Sequence, residues 1–182
     1  MATQDMDPQE SAKVLRITGH ALVLLGAALL LFGVYFVRTA NESASWPRAE
    51  GRVDNLLVRW SISQSERGRV NPHKDYYYVV KYSYEVEGTS YTGTRYSLGN
   101  GDHAEGKDFD TEEEARAAGQ QRFPVRSAVP VAYDPEDPTM AVLRAGASGA
   151  TYVPLILGVL FLAVGLALRR ASGSLRQRQP AS

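Results

Sequence analysis

The chain has 182 residues, with 20 basic and 20 acidic side chains that give a formal net charge of zero. A neutral chain offers no general attraction for a polyanion, so we expect no nucleic-acid partner. Cysteine is absent, which excludes disulfide bonds, thiolate zinc sites and a cysteine nucleophile. Such a chain suits oxidising and reducing compartments equally, so composition does not assign a redox environment.

Two long apolar runs lie near opposite ends of the chain, at residues 17–37 and 151–168. Neither run contains a charged side chain, and both are followed directly by arginine. As a helix, the first run would measure about 31 Å at about 1.5 Å per residue, close to the roughly 30 Å hydrocarbon layer of a bilayer. The two runs therefore predict transmembrane helices with the lipid bilayer as their partner. Burial of both runs inside a soluble domain is the alternative.

Basic residues flank both predicted helices on the side of the chain termini. Lys13 and Arg16 precede the first run, and four arginines with no acidic residue follow the second run in residues 169–182. Positive charge near helix ends is retained in the cytoplasm, so we expect both termini to be cytoplasmic. The first run is longer than the apolar core of a signal peptide and is followed by a poor cleavage site. We therefore interpret it as an uncleaved anchor.

These features divide the chain into five predicted parts. They are a cytoplasmic N-terminal tail (1–16), a first transmembrane helix (17–37), an extracytoplasmic β-rich domain (38–150), a second transmembrane helix (151–168) and a basic cytoplasmic tail (169–182). The expected location is the cytoplasmic membrane, which the chain crosses twice while its middle domain lies on the outer side.

Glycine recurs at seven-residue intervals in both apolar runs. The positions are Gly19, Gly26 and Gly33 in the first run and Gly158 and Gly165 in the second. Heptad spacing keeps residues on one stripe of a helix, and small residues let two helix backbones approach closely. We therefore predict that the two stripes pack against each other. The alternative is that glycine is simply common in membrane helices.

The middle domain has the pattern of a β fold. Residues 51–63 are rich in Val, Leu, Trp and Ile and predict a strand, and the polar residues 64–75 predict a loop. In the next stretch the even-numbered positions from 76 to 86 are Tyr or Val, whereas the odd-numbered positions turn polar. Alternate residues of a strand lie on opposite faces, so the even-numbered tyrosines predict the wall of a core. A ligand-stacking platform is the alternative.

Candidate binding residues lie on the other face of this strand and in the loops. Tyr77 is the tyrosine of the opposite face, and His73, Asp102 and His103 lie in predicted loops. Residues 99–114 are rich in glycine and acidic residues, which raises the possibility of a calcium loop. Their oxygen ligands lack the spacing that would surround one ion, so we expect no metal ion and no cofactor.

A hairpin and a helix follow the tyrosine strand. Glu87-Gly88-Thr89 supplies a turn, and residues 90–98 predict the returning strand. Thr111 and Glu114 have capping-box spacing at the start of a predicted helix over residues 112–122.

The last part of the domain, residues 129–143, predicts a strand, a stiff turn and a short final strand. The turn contains two Asp-Pro pairs, Asp134-Pro135 and Asp137-Pro138. Proline fixes φ and an aspartate side chain can accept hydrogen bonds from nearby amides, so we interpret these residues as structural. A catalytic pair of acids is the alternative.

These elements predict an α+β membrane protein in which two transmembrane helices flank a small, mainly antiparallel β domain with one short helix. We expect the β domain to be sandwich-like or barrel-like. Trp46, Gly51 and Val53, followed by YSYEVEGTSYTG (82–93) and VPVAYDPEDPTMAVL (129–143), resemble a bacterial family known as domain of unknown function 3592. The resemblance implies a membrane-anchored β domain, and it brings no known activity and no catalytic residues.

The sequence contains none of the common enzyme motifs G-x-S-x-G, H-E-x-x-H, G-x-x-x-x-G-K-[ST] and G-x-G-x-x-G. We therefore interpret the chain as a non-enzymatic interaction module of the cell envelope. Its expected partner is another envelope protein or a wall polymer, bound through an edge strand or through the loops 64–75 and 99–110. One alternative is an accessory subunit of a membrane transport or export complex. Another is an envelope hydrolase that uses His73 or His103.

Overall fold

A computed structural model of the protein describes residues 8–63 and 73–177. Residues 64–72, which contain most of one predicted contact loop, lie outside the described part, as do the ends of both tails and the side chain of His73. The elements in chain order are α1 (Pro8–Glu42), β1 (Arg48–Ser63), β2 (His73–Val86), β3 (Thr89–Gly93), α2 (Glu112–Arg122), β4 (Ala128–Tyr133), β5 (Ala141–Val142) and α3 (Val153–Gln177). They form two compact units, one with the long helices up to residue 37 and from residue 152, the other spanning residues 38–151.

Both α1 and α3 are long and apolar enough to cross a membrane. Each helix continues beyond the apolar run that predicted it. Only 11% and 17% of the residues in their most apolar windows are buried. Leu24 and Leu31 of α1, for example, are 72% and 76% exposed. An apolar surface of this extent needs a cover of lipid or protein, which is consistent with a membrane protein.

The glycine rows of α1 and α3 face each other. Gly26 lies opposite Gly158, and Gly19 lies opposite Gly165. A Cβ added to Gly26 would come within 2.7 Å of the amide nitrogen of Leu162 and 2.9 Å of the carbonyl oxygen of Gly158. Because these neighbours are backbone atoms, they cannot rotate away. The absence of a side chain is therefore what allows the two backbones to approach this closely.

Replacement of Gly158 by alanine is expected to separate the two helices, because the added Cβ would lie 2.8 Å from the amide nitrogen of Leu30. Overpacking of this kind costs about 1–3 kcal/mol. The measurement is thermal unfolding of the full chain in detergent, followed by helical circular dichroism.

The matched control is Gly173→Ala, also in α3, where an added Cβ meets nothing within 4 Å. This variant should unfold at the wild-type temperature or slightly above it, since alanine favours helix over glycine. Equal destabilisation by both substitutions would contradict the close packing of the glycine rows.

A single antiparallel sheet forms the β domain, with the strand order β3-β2-β1-β4-β5. The predicted antiparallel architecture is confirmed, but the sheet is open, so the sandwich or barrel prediction does not describe it. Helix α2 packs against the tyrosine face of β2, where its Gly119 lies against the ring of Tyr78. A helix therefore supplies part of the cover that a second sheet would supply in a sandwich.

Three of the four even-numbered tyrosines of β2 form the centre of the core, as predicted, while the fourth, Tyr76, is half-buried and lies outside it. Tyr78, Tyr82 and Tyr84 are 1%, 0% and 3% exposed. Each of their hydroxyl groups has an acceptor from a segment later in the chain. The acceptors are Glu105 Oε2 for Tyr78 (3.1 Å), the carbonyl oxygens of Arg95 (2.9 Å) and Ala141 (3.0 Å) for Tyr82, and the carbonyl oxygen of Pro138 for Tyr84 (2.6 Å).

A β-bulge interrupts the pairing of β1 with β2. Val53 pairs with Tyr82, and Asn55 pairs with Lys81, so Asp54 is the extra residue. Strict alternation would put Val53 and Leu56 on opposite faces, yet both belong to the tyrosine core. The bulge therefore brings the apolar residues on both sides of Asp54 to one face of the sheet.

Local turn and cap signals behave largely as predicted. The Oγ1 atom of Thr111 accepts a hydrogen bond from the amide of Glu114 at 3.2 Å, and α2 begins at the next residue, Glu112. The predicted returning strand is shorter than expected, because β3 ends at Gly93. Beyond it the amide of Tyr96 donates to the carbonyl oxygen of Gly101 at 2.7 Å, so the chain folds on itself rather than along β2.

Candidate functional site

Three of the four candidate binding residues meet on the face of the sheet opposite the tyrosine core. Arg59 and Tyr77 are cross-strand neighbours on β1 and β2. The carboxylate of Asp102 forms an ion pair with the guanidinium of Arg59, and the ring centroid of His103 lies 4.3 Å from that of Tyr77. The fourth residue, His73, begins β2, where its backbone pairs with Ser63. We call Arg59, Tyr77, Asp102 and His103 the Tyr77 cluster.

The Tyr77 cluster holds a loop against the sheet. The Nε2 atom of His103 lies 3.1 Å from the carbonyl oxygen of Lys107 and 3.4 Å from Oδ1 of Asp108. The Arg59 side chain is 50% exposed, and exposed ion pairs contribute only about 0.2–1 kcal/mol. The chemistry of the cluster is thus stacking and charge pairing that order the loop.

The aspartates of the two Asp-Pro pairs serve their own turn. The Oδ1 atom of Asp134 accepts from the amide of Glu136 at 2.9 Å. That of Asp137 accepts from the amide of Thr139 at 3.1 Å and from its hydroxyl at 2.6 Å. These are the hydrogen bonds that the structural interpretation predicts for the segment with Pro135 and Pro138.

A cleft that the sequence did not reveal lies beside the end of α2. It has a volume of about 510 Å³, and its walls include Glu105, Arg122 and Arg144. An adjoining cleft of about 200 Å³ shares Arg144 and adds Arg48. We call the two together the arginine cleft. Its charged residues come from four separate segments, so no motif along the chain could have predicted it.

Glu105 connects the core to this cleft. Its Oε2 atom accepts the hydroxyl of Tyr78, and its Oε1 atom accepts from Nε of Arg122 at 3.2 Å. Glu105 has a φ of 57°, a left-handed conformation that costs a residue with a Cβ about 1–2 kcal/mol. The strained backbone is thus held by a carboxylate that bridges the core to α2.

Burial raises the pKa of the tyrosines around this site. Desolvation is the main cause for Tyr78, and the charge and hydrogen bond of Glu105 act in the same direction. Desolvation also raises the pKa of Tyr96, again with help from the charge of Glu105, while the positive charges of Arg144 and Arg122 oppose the increase. The phenols therefore remain neutral donors at neutral pH.

The outer edge of β1 is the second feature that the sequence did not locate. Strand β4 pairs with β1 only from Arg48 to Arg52, and beyond Val53 the described chain provides no pairing strand on that side. The amide of Leu56 faces this edge and donates to its neighbour Asn55 Oδ1 at 2.8 Å. Because ladder groups alternate in direction, the amides of residues 58, 60 and 62 face the same way.

Apolar side chains accompany this edge. Trp60 is 51% exposed and Ile62 is 60% exposed, and Leu57 on the other face is 37% exposed. The ammonium of Lys74 lies 4.4 Å from the ring centroid of Trp60. In the part of the chain that the structure describes, no three acidic or histidine side chains are grouped so as to hold a metal ion.

Stability of the β domain is expected to fall as pH rises above the ordinary tyrosine pKa of 10.0, because burial raises the pKa of Tyr78, Tyr82, Tyr84 and Tyr96 in the folded state. The folded protein then holds more protons than the unfolded chain. The stabilisation is complete below the unfolded pKa and is lost progressively above it. Urea unfolding of the full chain at increasing pH measures the effect.

Tyr78→Phe provides the comparison, since it removes one of these phenols and should make the decline with pH shallower. Tyrosinate absorbance should appear in two stages, exposed tyrosines first and buried ones together with unfolding. Titration of all tyrosines in one stage, with β structure intact, would contradict the assignment.

A family model for a domain of unknown function, DUF3592, matches residues 49–148, which is more than half of the chain. The match begins at the second residue of β1 and ends after β5, so it covers the sheet, α2, the Tyr77 cluster and nearly all of the arginine cleft. No curated protein matches the chain in sequence. The chain therefore belongs to the family of proteins with the domain of unknown function 3592.

Proposed function

We propose that the protein is a membrane-anchored, non-catalytic interaction module of the cell envelope. In this proposal α1 and α3 cross the cytoplasmic membrane, both termini are cytoplasmic, and the β domain lies on the outer side. The exposed apolar surfaces of the two helices support the membrane part of the proposal. Lys13 and Arg16 before the first apolar run and the arginine-rich tail after the second support the orientation.

The observation that carries the interaction role is the edge of β1 beyond Val53, where no strand within residues 8–63 and 73–177 pairs on the outer side. An edge with outward backbone N–H and C=O groups is a template for another extended chain. At about 3.3 Å per residue, this stretch is long enough for several ladder hydrogen bonds. Exposed Trp60 and Ile62 on one face and Leu57 on the other add apolar contacts at alternate positions. The occupant that suits this edge is an extended segment of another envelope or membrane protein, bound as a sixth strand.

An accessory subunit of a transport or export complex is the second candidate. The outer faces of α1 and α3 favour it, since Leu31 is 76% exposed. The glycine rows are unsuited to bind a larger complex, because those of α1 and α3 already pack against each other. An envelope hydrolase would depend on His73 or His103. The contacts of His103 with Tyr77, Lys107 and Asp108 hold a loop in place, so we rank an enzyme below both binding functions.

The orientation is tested with single cysteines, since the natural chain has none. Glu10→Cys and Gly173→Cys mark the helix ends nearest the termini, and Thr92→Cys marks the β domain; all three positions are exposed. In intact cells, a membrane-impermeant maleimide should label only Thr92→Cys. Permeabilised cells should show labelling of all three variants. Labelling of either terminal position from outside intact cells would disprove the orientation.

The edge is tested by placing a photoreactive residue at position 61, adjacent to the exposed groups of β1. The control is position 85, an exposed residue of β2. At this position β2 pairs with β3, so its edge is already occupied by a strand of the same chain. Position 61 should yield discrete crosslinked products and position 85 should not. Trp60→Lys should reduce those products several-fold while the β domain stays folded.

The captured partner is then added to purified full-length chain for hydrogen exchange. If it binds as a strand, the amides of residues 58, 60 and 62 become ladder donors. Their exchange rates should then fall to about one tenth of the rates in the free chain, or lower. Unchanged exchange at these amides would rule out strand addition. Crosslinks from position 31 instead of position 61 would favour the accessory subunit.

A further inference from the structure

Positive charge exceeds negative charge in the arginine cleft, although the chain as a whole is neutral. Arg48, Arg122 and Arg144 line its two parts, and Glu105 is the carboxylate among the lining residues. Among the described residues, no carboxylate lies within ion-pair distance of Arg48 or Arg144. Two guanidinium groups at this cleft are therefore not neutralised by a described side chain.

Contacts behind the cleft hold two of these arginines, Arg122 through its guanidinium and Arg144 through its backbone. Nε of Arg122 donates to Glu105 at 3.2 Å, a bond that leaves the terminal nitrogens of Arg122 for other acceptors. The backbone of Arg144 is held at the cleft wall, because its amide donates to the carbonyl oxygen of Tyr96 at 2.7 Å. Restrained guanidinium groups lose less conformational entropy when they bind an anion.

The rest of the cleft wall is apolar. Phe123, Val129 and Leu143 line the larger part, and Val129 is 8% exposed. Guanidinium groups suit the planar or tetrahedral oxygens of carboxylates and phosphates, whereas apolar walls suit a hydrocarbon or an aromatic ring. A cleft that combines guanidinium groups with apolar walls therefore suits a ligand that has both an oxyanion and an apolar group.

We propose that the arginine cleft binds an oxyanion, a phosphate monoester or carboxylate, that is attached to a short apolar or aromatic group. The oxyanion contacts Arg144, with Arg48 and Arg122 on either side. The apolar group lies against Phe123 and Leu143. This site is separate from the β1 edge, so it stands or falls independently of the proposed interaction role.

Arginine stems also cover apolar surface without binding anything, and that role makes a different prediction. A stem that only covers Leu143 contributes through its methylene groups. Replacement of Arg144 by glutamine would then change stability slightly, with no effect on the binding of any anion.

The test uses the full chain in nanodiscs of phosphatidylcholine and phenyl phosphate as the probe, with binding measured by calorimetry. Inorganic phosphate and phenol are measured in parallel, because each carries only one half of the ligand. Phenyl phosphate should bind saturably and more tightly than either one. Phenol binding as tightly as phenyl phosphate would overturn the proposal, as would the absence of saturable binding of phenyl phosphate.

Two cleft variants and one control assign the binding to the arginines. Arg144→Gln should weaken phenyl phosphate binding about tenfold or more, the loss expected for a charge-assisted hydrogen bond. Arg48→Gln should weaken it in the same direction and provides a second readout if Arg144→Gln folds poorly. The control, Arg116→Gln, removes an exposed charge of α2 that pairs with Glu112 outside the cleft, and it should bind normally. Equal losses in all three variants would indicate nonspecific attraction and refute the site.

The source of the natural oxyanion is addressed by adding phosphatidylglycerol to the nanodiscs. Competition with phenyl phosphate would identify a lipid head group as the occupant, and unchanged binding would identify a soluble ligand. Both results support the cleft as an oxyanion site, provided that Arg144→Gln weakens the competition by phosphatidylglycerol in the first case and the binding of phenyl phosphate in the second.

Discussion

The tyrosine face of β2 can be buried only if each hydroxyl group on it finds an acceptor. A buried Tyr removes a large apolar area from water, but an unsatisfied hydroxyl costs about 1–3 kcal/mol, which would offset much of that gain. The acceptors of Tyr82 and Tyr84 are backbone carbonyl oxygens at residues 95, 138 and 141, and that of Tyr78 is the carboxylate of Glu105. The segments after β2 are therefore positioned by the polar ends of its own core residues.

This requirement explains why the sheet remains open. The tyrosine face is covered by α2 and by the loop and turn segments that supply the acceptors. With that cover in place, the domain needs no second sheet, and β1 extends beyond β4 while β2 pairs with it as far as Ser63. The exposed edge with Trp60 and Ile62 follows from a core that is centred on β2. The edge of β1 beyond β4 is thus a consequence of how the core is closed.

The same cover produces the arginine cleft. Glu105 must reach the Tyr78 hydroxyl, and in doing so it also holds Arg122 of α2. The segment after β5 returns to pair with residues 95 and 96, where the amide of Arg144 donates to the carbonyl oxygen of Tyr96 at 2.7 Å. The charged side chains meet here because the segments that carry them are placed by contacts with the core and with each other, namely the Glu105–Tyr78 hydrogen bond and the backbone bond between Arg144 and Tyr96. A protein whose chain is neutral overall acquires a local excess of cations in this way.

Several elements could be predicted from the sequence because their signals are local. The capping box at Thr111 needs only the next three residues, and each turn aspartate bonds to an amide two residues along the chain. The alternation of Tyr and Val from residue 76 to residue 86 likewise identifies the buried face of β2 without knowledge of its neighbours. Side-chain periodicity and turn chemistry depend on covalent geometry, which every short segment carries with it.

The register and the sites depend instead on which distant segments meet. The bulge at Asp54 places Val53 and Leu56 on one face, and only the partner strand defines it. Tyr77 and His103 were each proposed from the sequence, but their stacking, the pairing of Asp102 with Arg59 and the whole arginine cleft were not.

The sequence by itself determined two membrane-compatible helices, a tyrosine-walled antiparallel sheet and a capped helix, since each follows from patterns within a few residues. The tertiary structure alone decided the open edge of β1, the Tyr77 cluster and the arginine cleft. The physical reason is that these features arise from contacts between residues far apart in the chain, such as those 43 residues apart at Arg59 and Asp102 and 54 apart at Tyr84 and Pro138.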